Sequence, residues 1–355
     1  MSRAWLAPFS LLYGAAVAIR HKLFDWKILR SEEYDIPIVC IGNLTVGGTG
    51  KTPLTDMLAG HFKMTHNVAV LSRGYKRRTK GYFEAEIGTS FLDTGDEPKL
   101  IKQRHPDIVV AVCEKRRDGI SEIRRRHPEV NMIILDDGFQ HRYVEPWVNV
   151  VLIDYTRPIY RDHLLPWGNL RDTVGQLHRA RYVIMTKCPP DMSPIDRRIV
   201  RKSLKLYPYQ SLFFTSMECG NAVPLFRNSM TEIPANGKSV IAMSGIGNPK
   251  SFCDSLEKRY AVEDEIVFPD HHPYRRRDLA LMEQALGKSP EGTVIITTEK
   301  DAVKLAGSKK IPENLRPRLF YQPLNIRFYD DTVIEFLEKL EQDVKANPKY
   351  SLLNP

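Results

Sequence analysis

Three closely spaced glycines precede a lysine and a threonine in Gly47-Gly48-Thr49-Gly50-Lys51-Thr52, just beyond the apolar run Ile36–Ile41. Residues of these types at this spacing suit one task, holding the phosphates of a nucleotide. Glycines let the main chain approach an anion with no Cβ in the way. Successive backbone N–H groups and the amino end of a following helix add partial positive charge. Thr45, Gly47, Gly48, Thr49 and Gly50 would form the cradle. Lys51 would reach the β- and γ-phosphates, and the Thr52 hydroxyl would hold Mg²⁺. The strict G-x-x-x-x-G-K-[ST] pattern fails at its first position, where Thr45 stands in place of glycine.

Such a loop needs an acidic group for the metal on a neighbouring strand. Met132-Ile-Ile-Leu-Asp136-Asp137-Gly138 supplies one, with four apolar residues leading into two carboxylates. Adjacent buried carboxylates require cations nearby, and a Mg²⁺ site provides a reason for the pair. A solvated Asp-Asp-Gly turn is the alternative.

These residues must be positioned by a scaffold, and the hydrophobic pattern describes it. Short apolar, β-branched runs recur at Ile36–Ile41, Val68–Leu71, Ile108–Val112, Met132–Leu135, Val148–Ile153 and Tyr182–Met185. Continuous apolar strands alternating with helices predict an α/β fold, a P-loop NTPase-like parallel sheet covered by helices on both faces. In such sheets ligands sit at the carboxyl ends of the strands. A looser, proline-rich and basic stretch follows Cys188, with a helix expected over 193–206. Beyond it a second series begins, with Leu212–Thr215, Val240–Met243, Ile266–Phe268, Val294–Thr297 and Leu319–Gln322, and ends in a helix over Asp331–Val344. The expected organisation is a membrane-associated helical segment over 1–33, a kinase-type P-loop domain over 34–190, a smaller α/β domain over 191–344 contributing to the active-site cleft, and a frayed tail over 345–355.

The amino-terminal segment is unusual. No charged residue occurs from Ala4 to Ile19, too short a run for a spanning helix, which needs about 20 residues. Trp5, Phe9, Tyr13, Phe24 and Trp26 suit a membrane–water boundary. A helical hairpin or long helix lying on the bilayer is expected, with Arg20, Lys22, Lys27 and Arg30 facing anionic headgroups. A helix packed on the protein's own core and a true span are the alternatives. The charge balance, 52 Lys plus Arg against 43 Asp plus Glu, favours a polyanionic partner. No motif points to nucleic acid, and none to an obligatory protein partner. The five cysteines lack metal or redox spacing and read as reduced, buried residues.

The stretch Gly42-Asn-Leu-Thr-Val-Gly-Gly-Thr-Gly-Lys-Thr-Pro53 resembles the distinctive P-loop of the tetraacyldisaccharide 4′-kinases, including its non-glycine residue at Thr45. The resemblance continues through Ser72-Arg73-Gly74-Tyr75, Gly95-Asp96-Glu97-Pro98, Asp136-Asp137-Gly138-Phe139-Gln140-His141 and Leu164-Leu165-Pro166-Trp167-Gly168-Asn169-Leu170-Arg171. It resumes at Phe268-Pro269-Asp270-His271 and Thr298-Glu299-Lys300-Asp301, so it covers most of the chain. It implies a peripheral enzyme on the cytoplasmic face of the inner membrane of a Gram-negative-type bacterium. The activity implied is transfer of the γ-phosphate of ATP, with Mg²⁺, to the 4′-hydroxyl of a lipid-linked glucosamine disaccharide 1-phosphate. By the same resemblance Asp96 accepts the hydroxyl proton, His271 from the second domain pairs with it, and Lys51 and Arg171 join them in catalysis. Asp136 and Asp137 match the metal-associated pair. Arg73, Glu97, Arg116, Gln140 and Arg171 match substrate-side positions, with the register of Lys115-Arg116-Arg117 ambiguous. His271 is preferred to its neighbour His272 because it directly follows Pro-Asp.

The competing class is a P-loop switch or metallochaperone that hydrolyses nucleotide to drive partner binding. Thr186-Lys187-Cys188-Pro189 is only weakly similar to a guanine-reading Asn-Lys-x-Asp, lacking both its Asn and its Asp.

Overall fold

The computed structural model describes residues 3–226, 234–307 and 311–347. The chain forms two compact units. The first takes the chain up to Ile87, Ile101–Met217, and the chain from Ile326 onward; the second takes Gly88–Leu100 and Glu218–Asn325.

In the first unit the strands are, in chain order, β1 (Glu32–Glu33), β2 (Ile38–Asn43), β3 (Val68–Ser72), β4 (Phe83–Glu84), β5 (Val109–Val112), β6 (Met132–Asp136), β7 (Val144–Glu145), β8 (Val148–Asp154), β9 (Tyr182–Thr186) and β10 (Ser211–Cys219). The second contributes β11 (Val223–Pro224), β12 (Ser239–Ser244), β13 (Ala261–Val267), β14 (Val294–Thr298) and β15 (Leu319–Gln322), and β16 (Leu324–Phe328) returns to the first. The nine-stranded sheet has the order β16-β10-β9-β8-β2-β6-β3-β5-β4. From β10 to β5 the pairs are parallel, and β4 closes one edge antiparallel. Every residue of β2, β3, β6, β8 and β9 is buried. Such strands read as unbroken apolar runs because both sheet faces are covered.

The helices that matter here are α1 (Ala7–Asp25), α2 (Lys51–Phe62), α3 (Phe91–Thr94), α4 (Asp96–Arg104), α5 (Arg116–Arg126) and α6 (Pro194–Leu204). Helix α2 packs Leu54, Leu58 and Phe62 on one sheet face with Val39, Ile41 and Val70. Phe336, Leu340 and Val344 of the C-terminal helix Val333–Lys345 join the same cluster. Truncating one of these large buried side chains to alanine costs about 2–5 kcal/mol. The opposite face is covered by α5, through Ile120 and Ile123, and by α6, through Val200 and Leu204.

The smaller unit holds a five-stranded sheet, β11-β15-β14-β12-β13, parallel except for β11. Its helices lie on both faces, with Leu279 and Met282 in one apolar cluster and Phe252 and Leu256 in another.

Two boundaries differ from the sequence reading. The run Leu212–Thr215 lies in β10, which pairs with β9 in the large sheet and does not open the second series. The C-terminal helix likewise belongs to the first unit, because β16 carries the chain back to that sheet. The amino-terminal segment is a short 3₁₀ turn, Arg3–Leu6, running into the single helix α1, not a hairpin. The tail expected over 345–355 lies outside the described residues from 348 on.

Candidate active site

In the first unit, β2 lies between β6 and β8, while the next strand in sequence, β3, lies beyond β6. The chain thus diverges on either side of β2, and the crevice at its carboxyl end is where open α/β sheets bind ligands. The phosphate loop occupies that end. Gly50 adopts φ 88° at the turn into α2, a left-handed conformation that side chains disfavour. Thr45 is buried and pairs antiparallel with Leu170, and the Val46 amide donates to the Asn169 carbonyl. At this point the loop is anchored extended chain, so the position filled by glycine in the strict motif needs none.

Several groups grip the loop from behind. Asn43 Nδ2 donates to Thr49 Oγ1 at 2.9 Å, and Gln140 Nε2 donates to the Asn43 carbonyl at 2.6 Å. Thr186 Oγ1 donates to the Thr49 carbonyl at 2.8 Å. Lys187 Nζ donates to the Gly48 carbonyl at 2.5 Å and to buried Asp154 at 2.7 Å. The sequence reading gave no role to Asn43, Asp154, Thr186 or Lys187 in shaping the loop. A polar residue directly after an apolar strand run is the signal that could have found Asn43 and Asp154.

The register places Asp136 opposite Ile41, one residue before the loop begins. Asp136 is buried and accepts from Thr55 Oγ1 of α2 at 3.2 Å. Thr52 is buried in the first turn of the same helix. A hydroxyl and a carboxylate are hard oxygen donors, and Mg²⁺ typically takes one or two carboxylates while keeping waters and phosphate oxygens. Thr52 and Asp136 fit that set. Asp137 is engaged otherwise. Arg171 donates to both its oxygens and to Asn43 Oδ1, and Lys51 Nζ stands 3.6 Å from Oδ1. Burial alone would raise the Asp137 carboxyl; Lys51 and Arg171 outweigh it and hold the group down at about 2.

Of the triplet, Arg116 turns inward. Its guanidinium is buried and donates to the Cys113 carbonyl at 2.6 Å, with the Asp136 carbonyl at 3.5 Å, whereas Lys115 and Arg117 are exposed. Arg73 is exposed directly after β3. His141, half-buried, is pushed down to about 4 by burial and by the charges of Arg116, Arg73 and Arg20.

The smaller unit holds a second constellation. Gly95, at φ 93°, separates α3 from α4, and Asp96 and Glu97 open α4. Asp96 is buried, accepts from the Glu97 amide at 3.1 Å and accepts from His271 Nδ1–H at 3.0 Å. Burial would raise its carboxyl, but the His271 hydrogen bond and the charges of Lys300 and Lys304 hold it well below the usual range. Glu97 pairs with Lys300. His271 sits at φ 63° after β13, with its amide facing the Gly245 carbonyl at 3.3 Å. His272 instead binds Asp278 at 2.9 Å and belongs to the amino-terminal cap of the helix Arg276–Lys288. Asp96 and His271 thus come together within one unit, although the sequence reading placed them in different domains.

The family model described as "Tetraacyldisaccharide-1-P 4'-kinase" matches residues 2–342. The chain is 42% identical over 354 residues to a tetraacyldisaccharide 4′-kinase of Phocaeicola vulgatus, covering 98% of this chain and 96% of that protein. It is 39% identical over 359 residues to the corresponding Bacteroides thetaiotaomicron protein, covering 98% and 94%. Among solved structures, LpxK from Aquifex aeolicus in complex with ATP is similar at a TM-score of 0.76 and 28% identity, covering 97% of this chain and 99% of that one.

Proposed function

Because the chain belongs to the tetraacyldisaccharide-1-P 4′-kinase family, we propose that it transfers the γ-phosphate of ATP to the 4′-hydroxyl of a tetraacyl glucosamine disaccharide 1-phosphate, giving lipid IVA on the route to lipid A. The observation that carries this reading is the phosphate loop with Lys51 and Arg171 gathered around Asp137 at its mouth. Phosphoryl transfer demands positioning and neutralisation of charge more than covalent catalysis. The loop's amides and Lys51 hold the triphosphate, and Arg171 adds a second cation for the transferring group. Thr52 and Asp136 would hold Mg²⁺, which when bound neutralises charge on the β- and γ-phosphates.

On the acceptor side, Asp96 takes the hydroxyl proton. Its low basicity suffices because a loose transition state draws the proton away late. His271 orients the carboxylate through Nδ1–H. Glu97, Arg73, Arg116 and Gln140 serve the substrate side: Arg116 and Gln140 by fixing the backbone around Asp136 and Asn43, Arg73 as an exposed cation for a phosphate.

Association with the inner membrane's cytoplasmic face is part of the same reading. No described helix is long and apolar enough to cross a membrane. Instead α1 and its flanks expose Trp5, Phe9, Leu11, Leu12, Ile19 and Trp26 to solvent, a surface suited to lying in a bilayer interface. Arg20 does not join that surface as expected: it turns inward and donates to the Gln140 carbonyl at 3.0 Å. Phe24 turns inward too, edge-on to Tyr143.

The deciding experiment is incubation with γ-labelled ATP, Mg²⁺ and the disaccharide 1-phosphate lipid, followed by locating the label. Label at the 4′-oxygen is expected. Release as inorganic phosphate alone would favour the nucleotide-driven switch.

A further inference from the structure

Helix α1 is built inside out. Surface helices ordinarily turn apolar residues to the protein and polar ones to water. Here Leu11, Leu12 and Ile19 face outward, while Ser10 and His21 are buried. Its buried residues are Ser10, His21 and Phe24, so polar groups share the contact face with one aromatic ring. Gly14 approaches so closely that a Cβ there would meet Leu164 Cδ1 at 2.8 Å. Ser10 Oγ donates to the Leu164 carbonyl at 2.8 Å.

The remaining contacts converge on residues that hold the phosphate side. Tyr13 Oη donates to the Arg171 carbonyl at 2.8 Å. Arg20 donates to the carbonyl of Gln140, whose side chain in turn secures Asn43. His21 Nε2 lies 2.7 Å from Oδ1 of Asp172, the residue after Arg171. Arg142 Nη1 stands 3.1 Å from His21 Nδ1 and can only donate, so Nδ1 accepts and Nε2–H donates to Asp172. Asp172 is 1% exposed, and its nearest cation, Arg179, is 3.9 Å away. The Thr173 amide donates to the same Oδ1 at 2.8 Å and Oδ2 has no hydrogen-bond partner, so without His21 this buried carboxylate would keep a single donor. The Arg171 backbone, whose own amide donates to the Leu44 carbonyl at 2.9 Å, would lose the tie that reaches it from α1 through Asp172.

We propose that α1 positions the active site as well as meeting lipid: His21, with Tyr13 and Arg20, fixes the Arg171–Asp172 backbone and so sets the Arg171 guanidinium against Asp137 and Asn43. A helix whose outer face rests in a bilayer and whose inner face holds a catalytic cation couples membrane seating to turnover. The inference rests on the proposed phosphoryl transfer.

The test separates anchoring from positioning. Turnover of the full chain is measured on a short-chain, vesicle-free disaccharide 1-phosphate, beside sedimentation with phosphatidylglycerol–phosphatidylethanolamine vesicles. His21→Ala is expected to lower kcat about ten-fold or more, to leave KM for ATP within about two-fold, and to leave vesicle binding unchanged. His21→Gln, whose amide can still donate to Asp172, should recover most of the loss. Unchanged kcat in His21→Ala, or no recovery with Gln, overturns the proposal. Should His21→Ala fail to fold, Tyr13→Phe removes one hydroxyl and is expected to lower kcat about three-fold; wild-type kcat there overturns it. If the unaltered chain transfers no phosphate to this acceptor, the proposed function fails by itself. Amide hydrogen exchange over 169–173 then decides the positioning claim, since exchange in Tyr13→Phe or His21→Ala no faster than in the unaltered chain overturns it.

Discussion

Asp137 and Asp96 are both carboxylates held below their ordinary range, yet they are held by different means. Asp137 faces two cations and keeps its side chain 32% exposed. The Asp96 side chain is 7% exposed and accepts from one imidazole, with the charges of Lys300 and Lys304 acting on it from further off. Cations gathered on an accessible carboxylate can be shared with an incoming phosphate, because the ligand brings equivalent charge-assisted acceptors. An imidazole N–H fixed on a buried carboxylate suits the handling of one proton. The first arrangement suits the handling of charge and the second the handling of a proton, and substitution can separate them.

The largest effect is expected on the phosphate side. Lys51→Ala should lower kcat/KM by about three orders of magnitude with the melting temperature nearly unchanged, since a cation aimed at developing charge is worth several kcal/mol. Normal turnover would remove Lys51 from the chemistry. Next comes Asp96→Asn, which should lower kcat by about two orders of magnitude while sparing KM for ATP. An equal loss of nucleotide affinity would make Asp96 a charge-holding group like Asp137 and erase the contrast.

Two smaller effects sharpen it. An unfolded aspartate titrates near about 3.9, and folded Asp137 near about 2. The unfolded chain therefore binds the proton first, and the stability contributed by Asp137 is present above pH ~4 and lost as pH falls toward ~2. The melting-temperature gap between the unaltered chain and Asp137→Asn should close over that window; a constant gap would refute the ion-pair account. His141 acts at higher pH. Its folded value of about 4 lies below the ordinary ~6.5, so stability falls as pH drops from ~6.5 to ~4. His141→Gln should flatten the slope there alone. Smallest of all, His272→Gln should change kcat less than about three-fold, because His272 binds Asp278, which holds the amino end of the helix Arg276–Lys288. A loss as large as that of His271→Gln would show the wrong histidine has been assigned.

The large sheet was legible because strands buried on both faces leave near-continuous apolar runs, as at residues 150–153 and 182–185. The phosphate loop was legible because its chemistry tolerates few residue types. What escaped was set by tertiary contact. Leu324–Phe328 alternates apolar and polar residues as a half-buried strand does, but it is short and follows Pro323 directly, and nothing local says that it returns to the first sheet. The inward face of α1 escaped because its seat is made largely of backbone carbonyls, which every sequence possesses. Which of Lys115, Arg116 and Arg117 turns inward depends on where α5 begins, a matter of one residue. Asp96 shares a unit with His271 through the excursion Gly88–Leu100, which no change of composition announces.

The grip of Lys187 and Thr186 on the loop's carbonyls reaches further than bracing. Across a trans peptide the carbonyl and the next amide hydrogen point in opposite directions. Pulling the Gly48 oxygen toward Lys187 turns the Thr49 N–H away from it, and pulling the Thr49 oxygen toward Thr186 does the same for the Gly50 N–H. Two donors are thereby aimed before any guest arrives, by side chains on the far side of the peptide planes. A triphosphate would then meet a mould already cast, with little ordering left to do on arrival.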